Sequence, residues 1–534
     1  MAIKKTSVTI LFIIFLLSVV LAGCTSQSSP KTGNSTGETK NSTSEPKKGG
    51  TLKVAIAGEP PSLDVQITSA FLSQEIGWHI YEGLFTLDDK YNAVPLLAKD
   101  YNFDMATNTY VIHLREGIKF HNGKVMTADD VIASLNRWGK KSSYGAIFFN
   151  NVKELKMEND LTLDIILKTP QPNVPMLLAF PNQQAAIYPK EIIDAAGDGP
   201  IKDFIGTGPY RFVEHVPDQH VKLSRYDDYK PLPGSANGMG GSRVAYVDNI
   251  MFIPTPEVST RLDGVQTGQF DYAEQISTDL YESMKANNQV DAVIVKPYWW
   301  PQAVFNKKTG PFKDQRMRQA FALALNMEPI MKAAFTSSEF YRIDPSLMFQ
   351  EQKQWWTDAG KEMYNQGNIE KAQQLMKEAG YNREPIRWLT TKDYDFMYKI
   401  SLVATEQLKK AGFNIDLQVV DWATLIQKRA NPDLYEVFMG ATTFTPDPGI
   451  WPVFDSKWPG FWENSNKDAL LKSLNSEMDP AKRKAIWDKL QAITWDQVPV
   501  VKFGDFFLLG TKSKKLQGLQ GTPFPYYWNV WLNQ

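Results

Sequence analysis

Tyr110–Trp138 reads YVIHLREGIKFHNGKVMTADDVIASLNRW, and its hydrophobic period changes halfway along. Val111, His113 and Lys119 alternate with Ile112, Leu114 and Phe120 around the turn Arg115-Glu116-Gly117. That period of two marks strand with one buried face. Thr127-Ala128-Asp129-Asp130 then has the form of a capping box, with an acid three positions after the threonine. Val131, Leu135 and Trp138 follow at i, i+4 and i+7, one face of a helix. Strand, turn and capped helix in one short run predict a mixed α/β protein.

The same reading extends in both directions. Upstream, Gly49-Gly50-Thr51-Leu52-Lys53-Val54-Ala55-Ile56 is a strand in which Leu52, Val54 and Ile56 share a face. Glu59-Pro60-Pro61-Ser62-Leu63-Asp64 ends it, because two prolines remove donors and fix φ. Downstream, Gly206-Thr207-Gly208-Pro209-Tyr210-Arg211-Phe212 is a turn feeding strands through Val221 and Leu223. Asp314 caps a helix whose stripe is Met317, Phe321, Ala324 and Leu325.

These blocks, in this order, resemble the peptide- and nickel-type receptors of extracellular solute-binding family 5. GGTLKVAIAGEPPSLDV and YEGLFTLDDKYNAVPLLAKDYNFD look like the family's opening, and Tyr110–Trp138 like its signature. Gly206–Phe212 is similar to its "G-T-G-P-Y" turn, and VDNIMFIPTPEVSTRLDGVQTGQFDYAE to the unit leading toward the second lobe. FNKKTGPFKDQRMRQA from Phe305 resembles its crossover pattern, and GDFFLLGTKSKKLQGLQG with YYWNVWLNQ its closing strands. The resemblance spans residues 49–534. It implies a two-lobe α/β fold of the periplasmic-binding-protein type II class, with two hinge crossovers. The first lobe would cover 49–298, with an extra subdomain at about 95–205, the second 299–503, and 504–534 would return to the first. The chain would cross near Trp299 to Phe305 and again near Val500 to Phe507.

The resemblance also implies a site. In peptide-binding members the ligand main chain pairs with a strand here placed near Thr68, Ser69 and Phe71, and an Asp in a "G-x-x-x-D-x-x-D-P" loop receives the ligand amine. This chain reads Gly440-Ala441-Thr442-Thr443-Phe444-Thr445-Pro446-Asp447-Pro448, with Phe444 at the position of that Asp. A phenyl ring does not neutralise an ammonium as a carboxylate does. The implied ligand contacts are Thr68, Ser69, Phe71, Trp299, Trp300, Gln302, Lys392, Tyr394, Thr442, Thr443 and Phe444, with Lys392 aligned near the carboxylate-binding Arg of dipeptide members. Trp299, Trp300, Phe444, Trp451 and Trp458 would also suit stacking on sugar faces, although Trp451 and Trp458 read as surface-loop residues.

Composition sets the frame for these expectations. The chain has 534 residues, 43% hydrophobic and 22% charged, with a formal net charge of −1, 15 Trp and 21 Tyr. That is too long for one core, and no basic stripe points to nucleic acid. Lys4 and Lys5 precede an apolar run from Val8 to Leu21 that fits an export signal, and Leu21-Ala22-Gly23-Cys24 looks like a lipobox. The predicted signal peptide is therefore 1–23, with Cys24, the single cysteine, carrying lipid. Residues 25–48 hold no aliphatic or aromatic side chain, so 24–48 reads as a lipidated flexible tether.

No nucleophile elbow, zincin helix or catalytic cysteine appears. His113 and His121 lack a carboxylate or cysteine at ligand spacing, and Gly117 with Gly123-Lys124 misses the phosphate-loop spacing. We therefore expect a monomeric binding protein with no cofactor, metal or catalytic residue, working with ABC permease subunits on a peptide-like solute. Alternatives left open are an oligosaccharide ligand, a solute-sensing receptor and a cleft hydrolase using paired carboxylates.

The lipobox yields a first test. In a Cys24→Ser variant, the protein should leave the membrane fraction for the medium or soluble fraction, and metabolic labelling with palmitate should be lost. A variant that stays acylated and membrane-bound would refute the anchor.

Overall fold

The computed structural model describes residues 45–533; Cys24 and the signal segment lie outside the described residues. The strands that matter here, in chain order, are β1 (Thr51–Ile56), β2 (Ala98–Asp104), β3 (Thr109–Leu114), β4 (Val152–Asn159), β5 (Thr162–Leu167), β6 (Tyr210–Val216), β7 (His220–Arg225) and β8 (Asn249–Pro254). They continue with β9 (Tyr272–Ile276), β10 (Val290–Phe305), β11 (Ile386–Thr390), β12 (Ile415–Val419), β13 (Val437–Thr443), β14 (Val500–Lys502) and β15 (Asp505–Ser513). Two helices need labels, α1 (Phe71–Ile80) and α2 (Ala128–Lys141).

Among the described residues one long sheet runs β12-β11-β13-β10-β15-β9-β1-β8-β7-β6, with β14 paired to β10 off that path. β1 is parallel to both neighbours, β8 and β9. A strand so placed is covered on both faces, and Leu52, Val54, Ala55 and Ile56 are all fully buried. The polar Lys53 is the exception that keeps the alternation visible in sequence.

β10 carries the chain from one half of the sheet to the other. Over Val290–Val295 it pairs antiparallel with β15, and over Trp299–Phe305 with β13. The ladder to β15 breaks between Val295 and Trp299, where Pro297 has no N–H to give. The return path is β14 followed by β15, whose residues pair with β10 and β9. Lys502 and Asp505 sit at this return, both fully buried, with Nζ and Oδ1 2.6 Å apart.

A separate four-stranded antiparallel sheet, β2-β3-β5-β4, has α2 packed beside it. Asp130 Oδ2 accepts a hydrogen bond from Thr127 N at 3.0 Å, closing the capping box, and Val131, Leu135 and Trp138 are fully buried. α2 also reaches back to the Pro60–Asp64 loop. Arg137 Nη1 and Nη2 donate to Asp64 Oδ1 and Oδ2 at 3.1 and 2.5 Å, and Ile201 N donates to Oδ2 at 2.9 Å. Asp64 is thus a buried structural tie. The turn at Gly206-Thr207-Gly208 runs against α1 so closely that a Cβ at either glycine would lie 2.0 or 2.4 Å from the carbonyl oxygens of Ile80 and His79. Glu82 locks it, accepting from Thr207 Oγ1 at 2.9 Å and Arg243 Nη1 at 3.2 Å.

In the other half, Asp314 accepts from Arg316 N and starts the helix Gln315–Leu323, with Met317 and Phe321 buried as the stripe required. His113 and His121, weighed as ligands in sequence, hold structure instead. His113 Nδ1 meets Asp100 at 2.5 Å, and His121 Nε2 meets Gly208 O at 3.0 Å.

The Asp64–Arg137 tie should be expensive to break from one side. Arg137→Met leaves a carboxylate buried without its charge partner and should lower unfolding stability by about 3–5 kcal/mol. Urea denaturation of the two proteins checks this, and an unchanged midpoint would show that the tie contributes nothing.

Candidate functional site

Between the two halves lies a cavity of about 230 Å3. Ser69 just before α1, Phe71 and Trp78 of α1, Tyr298 and Trp299 from β10, Thr443 at the end of β13 and Phe444 just after it all face it. Phe180 and Phe524 close it from the side of the first half. Thr443 also lines a second cavity of about 290 Å3, walled by Gln302, Thr442, Trp451 and Trp458 on one side and Ser143, Tyr144 and Ile147 on the other. A third, of about 320 Å3, lies between Tyr101, Phe103 and Tyr110 of the four-stranded sheet and Trp355, Asp447 and Arg483 of the second half.

Phe444 is the hub of the main cavity. It is 5% exposed and meets Tyr91, Phe524, Phe349 and Phe180 at centroid distances of 4.9, 5.3, 6.1 and 6.4 Å. Four rings drawn from both halves enclose it, which leaves no place there for an ammonium. The acid three residues on does not take over. Asp447 Oδ2 and Oδ1 are held by Arg483 Nη1 and Nη2 at 2.8 and 3.0 Å, and Oδ1 also accepts from Gly449 N. A bidentate, buried pair of this kind neutralises the carboxylate within the fold.

The structure brings Ser69, Phe71, Trp299, Thr443 and Phe444 together on one cavity and Gln302, Thr442 and Thr443 on the next. Other expected contacts fall elsewhere. No strand forms at Thr68–Phe71. Thr68 Oγ1 accepts from Ala70 N, Gln74 Nε2 ties the carbonyls of Val65 and Thr68, and Phe71 begins α1. Trp300 is buried in the sheet, its ring 5.5 Å from that of Trp451, because alternation along β10 points it away from Trp299. Trp451 is correspondingly buried and not a surface-loop residue, and its Nε1 donates to Thr442 Oγ1 at 3.2 Å. Lys392 is exposed, its Nζ 4.7 Å from the Tyr398 ring centroid, and Tyr394 packs edge-on against Trp422; neither walls these cavities.

Asn182 and Trp355 are wall residues that carried no signal in the sequence, whereas Gln302 was among the expected contacts. Asn182 Oδ1, Gln302 Oε1 and Trp355 Nε1 are buried without a partner, one at each cavity. Buried polar atoms are nearly always satisfied, so acceptors and a donor left open on cavity walls suit a ligand with amide-like polarity. Asn182 and Trp355 sit in loops whose approach to the groove depends on the tertiary fold alone.

One more polar group stands at the end of the main cavity nearest the crossing strands. Glu75 of α1 and Glu274 of β9 are buried side by side. Tyr527 Oη donates to Glu75 Oε1 at 2.7 Å. His79 bridges Glu75 O at 2.9 Å and Tyr527 N at 2.8 Å, so Nδ1 carries its proton and Nε2 accepts. Burial lowers His79 to about 3, which keeps it neutral. Burial, with the neighbouring Glu274 charge, pushes Glu75 well above the ordinary carboxyl range, and burial raises Glu274 to about 7. The pair therefore shares a proton near neutral pH.

Comparison with known proteins places this architecture. Residues 92–461 match the sequence profile of bacterial extracellular solute-binding proteins, family 5 (middle region). The chain is 26% identical over 498 residues to the probable peptide ABC transporter periplasmic-binding protein y4tO of Sinorhizobium fredii, covering 88% of this chain and 91% of that one. It is 26% identical over 533 residues to the oligopeptide-binding protein AppA of Bacillus subtilis, covering 92% of each. Among solved structures, the substrate-binding protein CtaP of Listeria monocytogenes superposes with a TM-score of 0.80 at 21% identity, over 91% of this chain and all of that one. AppA in complex with a nonapeptide gives 0.71 at 22% identity, over 92% and 100%. The fold is accordingly the two-lobe fold of periplasmic binding proteins.

The carboxyl pair implies a pH dependence of stability. Glu274 rises from an ordinary value of 4.5 to about 7 on folding, so protonation favours the fold below about pH 4.5 and this contribution is lost as pH rises through about 7. Glu75→Gln replaces one acid by a neutral donor. It should raise the unfolding temperature relative to wild type at about pH 8 and much less at about pH 5. Scanning calorimetry at the two pH values decides, and an equal difference at both would mean that the pair does not share a proton.

Proposed function

Because the chain belongs to the family 5 bacterial extracellular solute-binding proteins, we propose that it is the lipid-anchored substrate-binding component of an ABC importer and takes an extended, peptide-like solute. The observation that carries the ligand class is the groove itself. Two cavities meet at Thr443, both halves wall them, and the unpaired Asn182 Oδ1 and Gln302 Oε1 offer acceptors to main-chain N–H groups. The names of the relatives, peptide and oligopeptide binders, support the same class.

Capture follows from the connectivity. A solute that touches both lobes binds the closed arrangement better than the open one, and only that difference can shift the population. The closed form is then what the permease subunits would recognise. Binding alone, without catalysis, fits the neutralisation of Asp447 by Arg483. Cys24, exported and acylated, would hold the receptor at the outer face of the cell membrane.

The aromatic cage around Phe444 gives the reading its specificity. The position offers no carboxylate, so an α-ammonium gains nothing there, and a peptide with a blocked amine should bind as well as a free one. Mass spectrometry of material co-purifying with the native protein would identify the solute. Calorimetry with one pentapeptide in free and N-acetylated forms should give affinities within about threefold. If only the free form binds, and Asp447→Asn abolishes that binding while Phe444→Ala is neutral, the reading of this loop is wrong.

A further inference from the structure

The main cavity continues into a narrower crevice of about 20 Å3 beside the two crossing strands. Phe71, Tyr298 and Pro523 line both spaces, so the crevice is an extension of the cleft. Val295 of β10 and Leu508 of β15 make its walls apolar, and Glu274 is the one charged group that lines it.

Glu274 is placed there by a local irregularity. The pairing of β9 with β15 slips between Ala273 and Ile276, and Gln275 adopts φ 49. That bulge leaves Gln275 exposed and Glu274 buried, with 5% of its surface accessible. No donor reaches Glu274 Oε2. The nearby cation, Arg261, spends its guanidinium on backbone carbonyls, those of Thr255, Pro256, Glu274 and Gln275, at 2.7 to 3.0 Å. The other neighbours of Glu274, Glu75 and the Tyr527 hydroxyl, hydrogen-bond it within the cluster, the two acids sharing one proton, so that among the described residues only Oε2 is left open. A single negative charge is thus left facing an apolar slot that opens on the ligand cleft.

A buried carboxylate oxygen without a donor is costly unless a partner arrives. The slot has room for one small group on a narrow stem, which excludes the planar fork of a guanidinium and fits an ammonium on a methylene chain. Apolar walls would cover the methylenes while the charged tip meets the acid. We propose that Glu274 anchors the alkylammonium side chain of the ligand, of lysine type, reaching from the cleft into this crevice. The inference rests on the reading of the cleft as the site of a peptide-like solute.

The experiment uses the full-length protein, freed of co-purified ligand by unfolding and refolding, with folding of each variant checked by circular dichroism. Calorimetric titration compares n-butylammonium with n-butanol, and acetyl-Ala-Ala-Lys-Ala-Ala amide with its norleucine counterpart. Wild type should prefer the cationic member of each pair by about tenfold or more. Glu274→Gln should erase both preferences, and so should Val295→Phe, which fills the slot and leaves the carboxylate in place. A preference that survives in folded Glu274→Gln, or is missing from wild type, overturns the assignment. If both peptides bind wild type equally and butylammonium no better than butanol, the peptide reading stands and the anchor falls. If butylammonium binds through Glu274 while neither peptide binds, the anchor stands and the peptide reading falls.

Discussion

Everything in this molecule hangs on the antiparallel ladder between the two strands that cross from one half to the other. β10 and β15 exchange backbone hydrogen bonds along Val290–Val295, and past Pro297 β10 passes its free edge to β13. Backbone N–H and C=O groups buried in a sheet must find partners, so the two halves are obliged to share one continuous sheet. That ladder is interrupted between Val295 and Trp299. Tyr298 and Trp299 come from that stretch, so the same few residues wall the cleft and mark the break between the two halves.

Charge is arranged around this frame with a consistent logic. Asp64 with Arg137, Glu82 with Arg243, Lys502 with Asp505 and Asp447 with Arg483 are buried pairs that tie loops to helices or strands. Each is closed by further hydrogen bonds, the condition under which a buried ion pair holds geometry. Glu75 and Glu274 break the rule, since two like groups face each other and, among the described residues, no cation forms an ion pair with either carboxylate. A site that departs from the pattern of its own protein is where function is expected.

The sequence made the fold legible because its strongest signals are local. The capping box at Thr127–Asp130, the stripe Met317–Phe321 and the alternation in β1 are all written within a few residues and all appear in the structure. The site was half legible. Trp299, Thr443 and Phe444 follow from segments with a recognisable order, whereas Trp300 was misplaced because alternation on a half-buried strand does not say which face looks into a cleft. Lys392 depended on register across a loop, and Phe180, Asn182 and Phe524 reach the cavity only through tertiary packing. Glu274 was hidden by its bulge, because the irregularity that aims it inward leaves no mark in a period of two.

The position of β1 has a kinetic consequence. Its neighbour β8 pairs with it across about 198 residues, Asp291 meets Lys512 across 221, and His79 meets Tyr527 across 448. A chain emerging from its N-terminus therefore holds a largely apolar strand with neither partner in existence. The first half cannot close until the last strand and the terminal segment have arrived. High contact order of this kind slows folding and prolongs exposure of strand edges. Lys53, the one charged residue in β1, and the prolines that follow at 60 and 61 stand where they interrupt an otherwise aggregation-prone run. The cost of a binding protein whose first and last segments build the same lobe is a long unfolded interval, guarded by these few residues.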